Sequence, residues 1–336
     1  MTHPSSIAVP WFEDFTVGQE FDAPAVTVTA GHAAIYQAIT GDRLRLALDQ
    51  HVSASVLGAA QALVHPMLSI NIAIGQSTWA SQRVKANLFY RGLVLRRAVM
   101  QGDSLYTRTR VVALRQNRQQ AGRAATGMVA LEMLTTNQRE ETVVHCWRCP
   151  MIPCRDPGVN TGHADRLDTL GNTPPATELA TLMPHWDLAP TQHWCGARAA
   201  DLADGEVLAI EARDTITSAP ELVRLTLNMA MAHTDAALSY LSERLVYGGH
   251  TIAIAFAQLT RALPNMLTIV AWESCDHTAP VIENDRLRSS ATVLGRQALP
   301  SGRGALLHLK IECFAARGIP EVETRVLDWV LWVWSL

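Results

Sequence analysis

Residues 66–76 read PMLSINIAIGQ and residues 248–258 read GGHTIAIAFAQ. The two lines overlay with residue 68 answering to residue 250, an offset of 182. The same offset returns where VMQGDSLYTRTRVVALR (99–115) meets VIENDRLRSSATVLGR (281–296), Asp103 standing opposite Asp285. Two separated matches at one offset indicate an internal duplication. Upstream, FTVGQEF (15–21) resembles LADGEVL (202–208), and TVT (27–29) resembles TIT (215–217). The offset there has grown to about 187, so the first copy carries a few extra residues in between.

Each copy reads as a short β-like lead, a helical segment, an apolar helix and then several strands. In the apolar helices Ile70, Ile72, Ala73 and Ile74, and likewise Ile252, Ile254, Ala255 and Phe256, leave almost no polar face. A helix apolar nearly all round is buried on all sides. β-Branched residues at near period-two spacing, as in 107–112 and 291–294, predict strands. Gly102-Asp103 and Asn284-Asp285 stand where a hairpin turn would join two strands. Pro150, Pro153, Pro157, Pro174, Pro175 and Pro184 mark an irregular connection. The expected organisation is an N-terminal unit (1–150), a linker (151–184) and a C-terminal unit (185–336), in the α+β class.

Composition narrows the function. With 48% hydrophobic and 18% charged residues the chain of 336 supports a substantial core and is not disordered. A net charge of −3 gives no footprint for nucleic acid. No apolar run approaches the roughly 18 residues of a membrane span. The first twenty residues hold Glu13, Asp14 and Glu20 but no Lys or Arg, unlike a secretory signal. Six cysteines are sparse for a disulfide scaffold, so the expected location is cytoplasmic. His145, Cys146, Cys149 and Cys154 cluster, but a structural zinc site needs four ligands and no second pair completes one. They read as reduced cysteines near a strand end, with no metal expected. No phosphate loop, Rossmann fingerprint or HExxH element occurs, so no cofactor is expected.

One buried helix wrapped by a curled antiparallel sheet, present twice in one chain, is a double hotdog. TGDR (40–43), HPML (65–68), VYGGHT (246–251) and the pair GDSL and NDRL resemble the MaoC-like, (R)-specific enoyl-CoA hydratases of the fused, hydratase 2 type. That resemblance implies acyl-CoA metabolism of the fatty-acid kind and a lyase adding water to a trans-2-enoyl thioester. Such chemistry needs a base for water, a proton for the α-carbon and donors for the charge on the thioester oxygen. The family motif supplies an Asp and a His five residues apart and a Gly at the start of the buried helix, whose N–H groups are free donors.

Carried over by position, the first copy keeps Asp42 but has Ala47 five residues on, with His51 nearby on an inserted loop. Its helix opens on Pro66, which has no N–H. This copy reads as catalytically empty. The second copy places Asn228 and His233 at the family spacing, with Gly248 and Gly249 opening the helix as oxyanion donors. His250 and Thr251 follow as candidate substrate contacts. The motif is incomplete, because Asn228 replaces the Asp and an amide cannot take a proton at neutral pH. Ser69 and Thr251 have the alternative of bonding a backbone carbonyl. Asp276 and His277, adjacent in sequence, point to opposite faces if in a strand, and read as turn or surface residues. Asp103 and Asp285 read as turn residues. Trp11, Trp186, Trp194 and the terminal VLWVW read as core or subunit contact.

Three functions remain from the sequence. The first is a hydratase or dehydratase taking a 2-enoyl or 3-hydroxyacyl thioester of CoA or acyl-carrier protein between the two copies. The second is a non-catalytic acyl-CoA-binding hotdog protein, for which Asn228 argues. The third is a thioesterase, whose carboxylate would be Asp42 or Asp235. A homodimer is the expected assembly.

Overall fold

The computed structural model describes residues 9–119, 122–300 and 302–336. The first copy contributes strands β1 (Glu20–Asp22), β2 (Val26–Thr27), β3 (Ala86–Leu95), β4 (Ser104–Gln116), β5 (Thr126–Thr136) and β6 (Thr142–Pro153). The second contributes β7 (Val207–Ala209), β8 (Asp214–Thr215), β9 (Met266–His277), β10 (Arg286–Ala298), β11 (Ala305–Arg317) and β12 (Val322–Ser335). They form one sheet in the order β1-β4-β5-β6-β3-β9-β12-β11-β10-β7, with β2 on β4 and β8 on β10. Each half thus has the same internal order, and β3 and β9 join the halves edge to edge.

The register across that seam shows the symmetry. Tyr90 pairs with Cys275 and Leu93 with Trp272. By the 182 offset Trp272 is the twin of Tyr90 and Cys275 the twin of Leu93, so the two pairings are one pairing viewed from either side. The copies are therefore related by a pseudo-twofold axis through the seam.

The helices are α1 (Ala30–Thr40), α2 (Arg45–Leu48), α3 (Gln50–Leu57), α4 (Pro66–Ser77), α5 (Ala176–Thr181), α6 (Ala219–Leu225) and α7 (Gly248–Ala262). All twelve residues of α4 are buried, and α7 is buried from Gly249 to Thr260. Their side chains fill the concave face of the sheet together with Tyr90, Trp272 and Trp329. Truncating a buried Ile or Phe of these helices to Ala would cost about 2–5 kcal/mol. Polar twins secure them: Gln76 Nε2 donates to Leu105 O and Gln258 Nε2 to Leu287 O, each at 2.9 Å. The extra residues of the first copy form α2 and α3 between α1 and α4.

Two expectations need correction. Gly102-Asp103 and Asn284-Asp285 do not close hairpins, because two strands separate β3 from β4 and β9 from β10 in the sheet. They are instead left-handed turns entering β4 and β10, with φ of 97° at Gly102 and 73° at Asn284. The Asp carboxylates accept Met100 N and Ile282 N, each at 2.9 Å, which is the structural role read for them. The linker, for its part, begins later than residue 151, since β6 runs to Pro153. Beyond it Leu167, Leu179 and Met183 are buried, so the connection is packed onto the sheet. Trp329 and Trp334 are core residues, and Trp186 stacks on Trp334 at 5.1 Å.

Candidate active site

Two equivalent loops follow α1 and α6. Thr40 Oγ1 donates to Tyr36 O at 2.9 Å, and Thr226 Oγ1 to Leu222 O at 2.8 Å. The next residue turns left-handed in both, Gly41 at φ 59° and Leu227 at φ 55°. A Leu tolerates that region poorly, so the second loop holds its turn against a local cost. The following side chain closes each loop: Asp42 Oδ1 accepts Leu44 N at 2.7 Å, and Asn228 Oδ1 accepts Ala230 N at 2.9 Å. Each loop then hooks onto the other copy's buried helix, Arg43 N donating to Thr260 Oγ1 at 3.2 Å and Met229 N to Thr78 Oγ1 at 2.8 Å.

Beyond these shared bonds the copies diverge. In the first, His65 Nε2 stands 3.0 Å from Asp42 Oδ1, both side chains buried. His65 Nδ1 accepts Met67 N at 3.2 Å, so the imidazole caps the start of α4 where Pro66 already lacks a donor. Tyr36 and Phe256 flank the ring, with centroids at 5.1 and 5.7 Å. The helix start is closed. His51 is exposed on α3 and does not approach Asp42; the partner is His65.

In the second copy the corresponding region is open. Asn228, His233, Gly248 and Thr251 line a cavity of about 270 Å³ between the copies. Helix α7 starts there with no side-chain cap. His233 Nδ1 donates to Leu245 O at 2.7 Å, which leaves Nε2 as the acceptor nitrogen of a ring that lines the cavity. Burial holds this imidazole at about 4, so it is neutral at pH 7. His277 lines the same cavity and is held at about 4 by burial and then by His233. The surface reading of His277 is therefore corrected. Its neighbour Asp276 does face away, where it meets Arg91 at 2.5 Å.

The remaining predicted residues stand elsewhere. Gly249 presses on the core: a Cβ there would lie 2.0 Å from Asn71 Oδ1. His250 is fully buried with neither ring nitrogen bonded, and it does not line the cavity. Asp235 is exposed and caps a short turn by accepting Ala237 N at 2.9 Å. Ser69 Oγ is buried without a partner. His145 meets Glu132 at 3.0 Å, and burial pushes the Cys146 and Cys149 thiols up to about 12. Among the described residues no three His, Cys, Asp or Glu stand close enough to hold a metal, and no helix is long and apolar enough to cross a membrane.

Sequence reasoning missed His277, Tyr90, Tyr247 and Arg148, all of which line the cavity. Burial raises the Tyr90 and Tyr247 phenols, which stay protonated donors. No carboxylate lines this cavity among the described residues. A wider groove of about 850 Å³ lies beside the connecting segment, but no imidazole lines it.

No protein-family profile matches the chain. It is 30% identical over 321 residues to β-methylmalyl-CoA dehydratase of Chloroflexus aurantiacus, covering 92% of this chain and 89% of that protein. A Mycobacterium tuberculosis protein with a double hotdog fold, described as essential for bacterial survival during infection, is 45% identical with a TM-score of 0.89. That match covers 97% of this chain and 98% of the other. A MaoC domain dehydratase from Chloroflexus aurantiacus follows at 28% identity and TM-score 0.85, covering 98% and 99%. The chain belongs to the MaoC-like dehydratases in their fused double-hotdog form.

Proposed function

We propose that the chain is a hydratase or dehydratase of short acyl-CoA thioesters, working in the cavity of the second copy. The observation that carries the reading is the neutral His233, tied at Nδ1 with Nε2 left as an acceptor, in a cavity that also holds the uncapped start of α7. The thioester oxygen is taken at the Gly248 end of the helix, where backbone donors meet developing negative charge. Asn228 orients a water. His233 Nε2 takes a proton from it as the hydroxide oxygen bonds the β-carbon, and the imidazolium returns that proton to the α-carbon. Water is thus added across the double bond and the ring ends neutral, ready for the reverse reaction.

CoA is the proposed carrier. Ala86, Leu88 and Tyr240 border both the cavity and an adjoining groove of about 790 Å³ containing Lys85, Arg118 and Arg123. None of these three cations forms an ion pair among the described residues. They suit the nucleotide phosphates of CoA, whereas an acyl-carrier protein would place only its pantetheine arm nearby. The six cysteines are free, which supports a reducing compartment, the cytoplasm. A homodimer is the proposed assembly and is checked by sedimentation.

Asn228 favours a second reading, a protein that binds thioesters without turning them over. The thioesterase reading loses its carboxylates, since Asp42 is sealed in the first copy and Asp235 is exposed. Incubation with crotonyl-CoA, 3-hydroxybutyryl-CoA and saturated acyl-CoAs, following enoyl absorbance and free thiol, separates the three. Change in enoyl absorbance without thiol release is the expected result; thiol release, or binding with no reaction, contradicts it.

A further inference from the structure

Arg148 lies on β6 with 2% of its surface exposed, yet it forms no ion pair among the described residues. One guanidinium nitrogen donates to Ser77 O at 3.0 Å and Ser81 Oγ at 2.6 Å; another reaches Asn87 Oδ1 only at 3.5 Å. Nε is buried with no partner. A buried charge without a counter-ion is expensive, and this one lines the same cavity as His233 and Asn228.

Sheet register shows that the fold does not demand it. Val111 pairs with Leu131, Leu131 with Arg148, and Arg148 with Tyr90. In the second copy Val293 pairs with Leu309, Leu309 with Leu331, and Leu331 with Trp272. Val111 and Val293, and Tyr90 and Trp272, are twins by the 182 offset, so Arg148 stands where the second copy has the buried Leu331. One copy fills the position with an aliphatic side chain and the other places a cation at the cavity.

We propose that Arg148 receives a free carboxylate at the far end of the acyl group, so that the substrate is the mono-CoA thioester of a short dicarboxylic acid. This deepens the hydratase reading and rests on it for the fate of the bound thioester. A planar guanidinium matches a carboxylate with paired hydrogen bonds, and a cavity without acidic side chains leaves the incoming anion unopposed. Tyr90 and Tyr247, protonated and lining the same cavity, add neutral donors. The cavity, at about 270 Å³, suits a short acyl group.

Binding is measured first, with unreactive thioesters that differ only in a terminal methyl or carboxylate, butyryl-CoA and succinyl-CoA. Wild type should bind succinyl-CoA more tightly by about tenfold to a hundredfold, the scale of a charge-assisted pair. Arg148→Leu, which installs the twin residue, should erase that preference, bringing the ratio of succinyl-CoA to butyryl-CoA affinity to about one. Arg148→Lys should restore part of it. Equal binding of the two by wild type, or an equal loss of both in Arg148→Leu, overturns the proposal and leaves Arg148 as a clasp on the end of α4. Turnover is measured separately with fumaryl-CoA and crotonyl-CoA. Preference for fumaryl-CoA that vanishes in Arg148→Leu supports both readings. Carboxylate-selective binding with neither thioester hydrated contradicts the hydratase reading and still upholds Arg148 as the carboxylate site.

Discussion

Asn228 and Asp42 occupy the same place in the two copies, each accepting the backbone N–H two residues ahead, at 2.9 and 2.7 Å. Asn228 borders the cavity between the copies, whereas Asp42 is fully buried against His65 at 3.0 Å. The carboxylate and the open helix start have been separated between the copies, and this sets what substitutions should do.

Asn228→Asp preserves the loop bond to Ala230 and adds a proton acceptor beside His233. Hydration of a short trans-2-enoyl-CoA should rise, on the scale of the roughly 10² to 10⁴ that a positioned base supplies. His233→Ala in the same background should abolish the gain. A folded, thioester-binding Asn228→Asp protein with unchanged turnover contradicts the assigned mechanism.

The two glycines at the start of α7 should behave differently. A Cβ at Gly248 would lie 2.5 Å from His277 Nε2. Gly248→Ala should therefore displace that imidazole and lower kcat/KM by about tenfold to a hundredfold, with the urea midpoint little changed. At Gly249 the added carbon meets Asn71 and the Tyr247 ring, at 2.0 and 2.4 Å. Gly249→Ala should cost about 1–3 kcal/mol of stability through overpacking. Equal kinetic losses without any stability difference would contradict this division.

Breaking the sealed pair should affect folding and not chemistry. Asp42→Ala leaves Leu44 N and the neutral His65 ring buried without their acceptor, a change of about 1–3 kcal/mol, visible in denaturant unfolding. The kcat of the surviving folded protein should remain within a few-fold of wild type. A large fall in kcat would place the first copy in the reaction.

Acid should destabilise the protein in a defined window. Burial holds His233, His250 and His277 at about 4, against an ordinary 6.5. Between those values the unfolded chain binds the extra protons, so stability is complete above about pH 6.5 and is lost as pH falls toward 4. At about 1.4 kcal/mol per pH unit per group, the loss amounts to several kcal/mol. His250→Leu copies its twin Leu68 and removes an imidazole whose two nitrogens are unbonded. It should raise stability at pH 5 by about 1–3 kcal/mol. Urea midpoints from pH 7.5 to 4.5 check this, and an unaltered pH slope in His250→Leu contradicts it.

The duplicated fold was legible because an apolar helix and a turn-plus-strand pattern recur at one offset. The Asn228 and His233 spacing was legible because both lie on one loop after α6. His65 was not read as the partner of Asp42, since α2 and α3 intervene and only the folded core brings the two together. Periodicity placed Asp276 and His277 on opposite faces but could not say which face turned inward. Arg148 sat among cysteines that drew attention to metal, and its meaning appears only when strand register sets it against Leu331.

The central claim is that the thioester is held at the second copy's helix start. A crystal structure with an unreactive acyl-CoA bound tests it most directly. The carbonyl oxygen should lie within hydrogen-bond distance of the Gly248 end of α7, with the α- and β-carbons beside His233. A carbonyl at the Pro66 end of α4, next to Asp42 and His65, would contradict the account.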